Sequence, residues 1–177
     1  TTYAKFHGVQ LTLIPAKDGV TDFEAAKKEL STGDVAGLLV PGINRFGVIE
    51  DLSGYAAALH EAGALLVEYC DPSAMAVLRT ARENGADIAC GDAQTLGIPL
   101  SFGGPYIGFL ACRHEFMRKL PGRLVGETTD VDGKRAFVLT LQPREQHTRR
   151  EKATSNICSH QSLMALYVAV YVSLMGR

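Results

Sequence analysis

The chain has 177 residues, 46% of them hydrophobic and 21% charged, with a formal net charge of −1. That length supports one domain with its own core and is short for two. The composition is that of a folded globular protein, and so neutral a balance excludes the basic footprint of a nucleic-acid partner or an anionic-membrane ligand.

Residues 9–14 alternate and end at Pro15, which predicts a short strand. Thr21-Asp22-Phe23-Glu24 reads as a capping box opening a helix through Leu30, with Phe23, Ala26 and Leu30 at helical spacing. The apolar run 36–40, ended by Pro41, predicts a strand buried on both faces. Residues 51–62 form a helical pattern with Leu52, Tyr55, Ala56, Leu59 and Ala62 on one side, and Gly63 stops it. Residues 64–69 are the next strand. Asp71-Pro72 then predicts a helix to about Glu83, with Asp71 as its cap, and 87–90 is a further strand. Strand and helix in this alternation imply right-handed crossovers and a mostly parallel sheet. Residues 107–112 follow through a loop with no helix, so that strand is expected to enter antiparallel. A short helix over 114–119, a loop or hairpin over 123–135 and a strand over 137–141 come next. The segment 144–156 is densely charged. A long helix over 159–175 carries Leu163, Leu166, Val170 and Leu174 in a stripe.

The apolar run 163–175 is too short to cross a bilayer and contains Tyr167, Tyr171 and Ser173, so no membrane partner is expected. The four cysteines, Cys70, Cys90, Cys112 and Cys158, form no Cys-x-x-Cys pair and read as buried free thiols of a reducing, cytoplasmic compartment. With Thr1 at one end and an apolar helix at the other, the chain reads as a single α/β domain over 1–177, cut from a longer subunit.

Ligands of open α/β sheets sit beyond the carboxyl ends of the strands. Those ends are Pro41-Gly42, Cys70-Asp71 and Gly91-Asp92. No phosphate-binding glycine motif and no metal-ligand pattern among the five histidines is present, and no metal is expected; His60 reads as a solvated helix residue. Asp71 at a strand end is a candidate partner for a pyridinium nitrogen, and equally a helix cap. Arg144, Arg149 and Arg150 are dense enough to clamp a carboxylate or phosphate, or to form a solvated face. The strand–Gly/Pro turn–strand at 88–112 has the form that carries the cofactor-binding lysine in many pyridoxal-phosphate enzymes. Yet no lysine lies between Lys28 and Lys119, and no other side chain supplies the amine.

Longer motifs carry a resemblance. Phe46-Gly47-Val48-Ile49-Glu50-Asp51, Gly97-Ile98-Pro99-Leu100-Ser101-Phe102-Gly103-Gly104-Pro105-Tyr106 and Met117-Arg118-Lys119-Leu120-Pro121-Gly122-Arg123-Leu124-Val125-Gly126-Glu127-Thr128 are similar to the alpha subunit (subunit 1) of the glycine decarboxylase P-protein. So are the runs from Phe137 to Gln142, Arg144 to His147 and Arg149 to Cys158. The resemblance spans nearly the whole chain. It implies the mostly parallel, three-layer α/β sheet of the large domain of type I pyridoxal-phosphate-dependent transferases. It also implies a part in glycine dehydrogenase (aminomethyl-transferring), the oxidoreductase of the glycine cleavage system, which passes the aminomethyl group to the lipoyl H-protein. The family's split enzyme assembles as an α2β2 heterotetramer whose beta subunit carries the lysine. Counting from Pro99 and Pro105 places Gln94 where that lysine stands.

The resemblance therefore implies a half-site with no catalytic residue of its own. Pyridoxal phosphate is expected in the complex, held by the partner beta subunit and not covalently on this chain. Ser101, Gly103, Gly104, Arg144, His147, Arg149, Arg150 and Asn156 are the residues expected at the interface, and the isolated chain is expected to be inactive. Residues 41–45 depart from the family's pattern, with Arg45 altering an edge loop. The alternatives are a non-catalytic scaffold or regulatory module, and an active type I enzyme of another kind.

Overall fold

The computed structural model describes residues 2–120, 124–140, 149–153 and 161–176. The chain divides into two compact units, Thr1–Cys90 and Gly91–Arg177.

In the first unit, helix α1 (Thr2–Phe6) is followed by an extended, exposed stretch. Residues 9–14 are not a strand: Val9, Leu11 and Leu13 face solvent, and alternation without a neighbouring ladder gives no sheet. The pairing goes instead to a two-residue hairpin, β1 (Ala16–Lys17) with β2 (Val20–Thr21). Asp18 and Gly19 both take positive φ, 52° and 81°, as a hairpin turn of matching twist demands.

Helix α2 (Phe23–Leu30) begins one residue later than a Thr21 cap implies. Asp22 is the cap, its Oδ1 accepting from Ala25 N–H at 3.0 Å. Thr21 N–H donates instead to the Glu50 carboxylate. Ala26 and Leu30, four apart, are the face α2 buries.

Strand β3 (Gly37–Pro41) pairs in parallel with β4 (Leu65–Tyr69), and β4 with β5 (Ile88–Asp92). Helix α3 (Tyr55–Glu61) makes the crossover between β3 and β4. It is shorter than the sequence pattern, because Gly54 enters at φ 82° and Asp51 Oδ1 ties up Ser53 N–H ahead of it. Its end is closed by Gly63 at φ 74°. Gly63 N–H bonds the His60 carbonyl and Ala64 N–H the Leu59 carbonyl, the two bonds of a Schellman cap.

Leu30, Val40, Leu52, Tyr55, Leu59, Ala64 and Leu66 form the core between α2, α3 and the sheet. Phe23 and Tyr55 stack on its edge with ring centroids 3.8 Å apart. Strand β3 is not buried on both faces: Val40 points into this core and Leu39 is exposed, since α2 and α3 cover one face only.

The segment after β4 is not the helix expected from Asp71 to Glu83. It contains a single 3-10 turn at Ala74–Ala76. Asp71 Oδ1 accepts from Ser73 N–H and Oγ–H, and Glu83 Oε2 accepts from Thr80 N–H and Oγ1–H. Two local capping arrangements in one short segment favour two turns over one helix.

In the second unit, β6 (Gly108–Cys112) takes the place after β5 in the sheet order β3-β4-β5-β6. Ala93, just past β5, donates to the carbonyl of Ile107, just before β6. Strand β6 thus starts where β5 ends and runs back antiparallel, as expected. A 3-10 helix spans His114–Lys119. Strands β7 (Leu124–Thr129) and β8 (Arg135–Thr140) then form an antiparallel hairpin.

Helix α4 (Ser162–Met175) closes the described chain. The stripe read from the sequence, Leu163, Leu166, Val170 and Leu174, is exposed, and Met164 is buried. Tyr171, seven residues on, lies against Gly97, where an added Cβ would sit 2.6 Å from the ring. No helix among the described residues is long and apolar enough to cross a membrane.

Candidate functional site

Beyond the carboxyl ends of β3 and β4 lies a cavity of about 160 Å³. Its polar wall is Glu50, Asp51, Glu68, Asp71, Arg79 and Asn84, and its apolar wall includes Ile43, Ile49, Leu52, Met75 and Leu78. Of the three strand ends named from the sequence, Gly42 and Cys70-Asp71 line this cavity.

Asn44 builds the cavity rim. Its Oδ1 accepts from Phe46 and Val48 N–H, and its Nδ2 donates to the Gly19 carbonyl and to Glu50 Oε1. The 41–45 departure is thus a loop closed by one amide, with the Arg45 guanidinium stacked outward on Phe46, 4.8 Å from the ring centre. Glu50, 8% exposed, holds Thr21 N–H and Asn44.

Glu68 is 2% exposed. Its Oε2 accepts from Asn84 Nδ2 at 3.0 Å. Burial raises its carboxyl above the usual range, and the Asn84 bond opposes this only in part. Burial likewise pushes the Cys70 thiol up to about 11 and raises that of Cys90. Both thiols are therefore protonated at neutral pH and are poor nucleophiles. Cys70, Cys90 and Cys112 are free thiols; Cys158 lies outside the described residues.

His60 is an exposed helix residue, as expected, but one of its ring nitrogens is engaged. Its Nε2 lies 2.8 Å from Asp87 Oδ2, and the same oxygen accepts from Leu66 N–H at 2.8 Å. Asp87 is buried at the base of β5, and this pair ties α3 to the sheet. Among the described residues no cluster of three or more His, Cys, Asp or Glu could hold a metal.

In the second unit Gln94 follows β5. Its backbone N–H donates to Asp92 Oδ1 and its carbonyl accepts from Ile98 N–H. Its side-chain Nε2 is buried with no hydrogen-bond partner among the described residues. The loop beyond it holds four consecutive positive φ values at Ser101, Phe102, Gly103 and Gly104, with Phe102 fully exposed. Arg149 and Arg150 are exposed, and Arg150 starts a 3-10 turn. Arg144, His147 and Asn156 lie outside the described residues.

Neither Gln94 nor the lining of the β3–β4 cavity offers an amine for an imine with pyridoxal phosphate. The position after β5 presents an amide, and the cavity wall sets four carboxylates against one guanidinium, which disfavours a phosphate-bearing ligand.

Residues 1–177 match the family model of the glycine cleavage system P-protein. The chain belongs to that family. It is 53% identical over 177 residues to a probable glycine dehydrogenase (decarboxylating) subunit 1 of Moorella thermoacetica, covering 100% of this chain and 40% of that protein. A protein of the same description from Listeria monocytogenes serotype 4a is 50% identical over 176 residues, 99% of this chain and 39% of its own. The crystal structure of an inhibitor-bound glycine decarboxylase P-protein superposes with TM-score 0.88 at 45% identity, over 99% of this chain and 39% of that one. A cysteine desulfurase from Thermococcus onnurineus, at TM-score 0.57 and 21% identity over 98% of this chain and 40% of its own, shares the fold alone. This P-protein chain therefore spans about 40% of the length of the curated relatives it matches, and its mostly parallel α/β sheet is that of the type I large domain.

Proposed function

We propose that this chain belongs to subunit 1 of a two-subunit glycine dehydrogenase (decarboxylating) and supports chemistry carried out on the partner beta subunit. The observation that carries the reading is Gln94, where the family resemblance places the lysine: a side chain with no amine, its Nε2 buried and without a partner among the described residues. An amide donates and accepts hydrogen bonds but forms no imine. Pyridoxal phosphate in the complex stabilises the carbanion left by decarboxylation; no step of that chemistry passes through this chain. The aminomethyl group is transferred to the lipoyl H-protein by the assembled enzyme.

This chain contributes shape. Gly97, held under Tyr171, sets the start of the 97–106 loop, and Ser101, Gly103 and Gly104 in that loop face the partner. Arg149 and Arg150, with Arg144, His147 and Asn156, form the second interface segment. The complex is an α2β2 heterotetramer of the cytoplasm, without nucleic-acid or membrane partners. Co-expression of the full subunit with the beta subunit is expected to give glycine-dependent carbon dioxide exchange, and the subunit alone none. Activity of the subunit alone contradicts the reading. Arg149→Ala with Arg150→Ala is expected to weaken assembly; unchanged sedimentation of the complex returns both to plain surface.

A further inference from the structure

Three of the four carboxylates on the β3–β4 cavity are committed to hydrogen bonds from the chain itself. Glu50 holds Thr21 N–H and Asn44, Asp51 holds Ser53 N–H, and Asp71 holds Ser73. Glu68 differs: Oε2 takes Asn84 Nδ2, while Oε1 accepts nothing from the described residues. That oxygen lies 2.8 Å from where a Cβ on Gly42 would stand, so the absence of a side chain at Gly42 keeps the space beside it open. A carboxylate so deeply buried is costly unless a cation or a donor reaches it. Arg79, on the same wall, is exposed and acts electrostatically on Asp51 and Glu83. The apolar lining of the same cavity includes Ile43, Leu52, Met75 and Leu78.

We propose that this cavity is a binding site for a small primary ammonium compound, its charged nitrogen on Glu68 Oε1 and a short alkyl stem against Ile43, Leu52, Met75 and Leu78. The volume of about 160 Å³ suits roughly six heavy atoms. The excess of carboxylates rejects anions, and a neutral isostere leaves Oε1 unsatisfied. Every residue of the site belongs to the first unit.

The test is a titration of the full chain, in complex with its beta subunit, with n-butylammonium, n-butanol and butyrate, followed by calorimetry. Saturable binding of n-butylammonium alone is expected. Glu68→Gln should weaken it by about 10-fold or more, the loss of a charge-assisted hydrogen bond. Gly42→Ala keeps the carboxyl group but puts a Cβ 2.8 Å from Oε1, which displaces that oxygen and fills the space beside it, and should weaken binding similarly. Equal binding of n-butanol, no saturable binding of n-butylammonium, or an affinity unchanged in both variants overturns the proposal. Because both variants lie outside the 97–106 loop, glycine-dependent exchange by the complex without added amine should stay at its original rate.

Discussion

At the residue scale, Glu68 and Asp87 are two buried carboxyls with opposite consequences. Burial raises the Glu68 carboxyl, so the folded chain holds that proton more tightly than the unfolded chain. Its contribution to stability is full in acid, below the ordinary carboxyl value, and is lost as pH rises through the raised value. Glu68→Gln is therefore expected to shift the urea midpoint upward at neutral pH and to leave it nearly unchanged in acid; a loss of stability at neutral pH contradicts this account. Asp87 is instead satisfied by Leu66 N–H and His60. His60→Ala removes one of those partners and should cost about 1–3 kcal/mol by denaturant unfolding, whereas an exposed histidine without the Asp87 contact would cost almost nothing. Composition alone gives no sign of the His60–Asp87 pair, because the two residues lie 27 apart in sequence. Glu68 did leave a trace, a carboxylate inside the apolar run Leu65-Leu66-Val67-Glu68-Tyr69.

At the element scale, strands β3, β4 and β5 and the antiparallel entry of β6 were legible because apolar runs bounded by Gly and Pro admit few other structures. Helix α4 was legible as a helix but not in its orientation. Nearly every residue from Leu163 to Met175 is apolar, so no stripe is distinguished from the rest, and contact with Gly97 decides which side faces inward. The helix expected after Asp71 failed because Asp71 and the Thr80–Glu83 pair each close a turn of their own. Gly97 starts the 97–106 loop under the Tyr171 ring. Gly97→Ala meets both a φ of +84° and the Tyr171 ring. It should cost at least about 1–2 kcal/mol from the backbone alone, read as a lower thermal midpoint, and should reduce exchange activity of the complex by displacing the loop.

At the scale of the whole molecule, a type I scaffold carries an amide, Gln94, after β5, and the proposed supporting role rests on that residue. The fold was legible in the order of strands and helices, and the missing lysine in a simple reading of 28–119. The place of the cavity was legible too, at the ends of β3 and β4, but its polar wall was not, since Glu50 is held there by Asn44 and Thr21, 6 and 29 residues away in sequence. The core that supports it is small, and Leu59→Ala, at a fully buried position, should cost about 2–5 kcal/mol in an unfolding titration. The most direct test of the central claim is borohydride reduction of the co-purified complex in the presence of pyridoxal phosphate, followed by peptide mass spectrometry of both subunits. The account predicts a reduced pyridoxyl adduct on a lysine of the beta subunit and none on this chain; an adduct on Lys119, Lys134 or any other amine of this chain would contradict it.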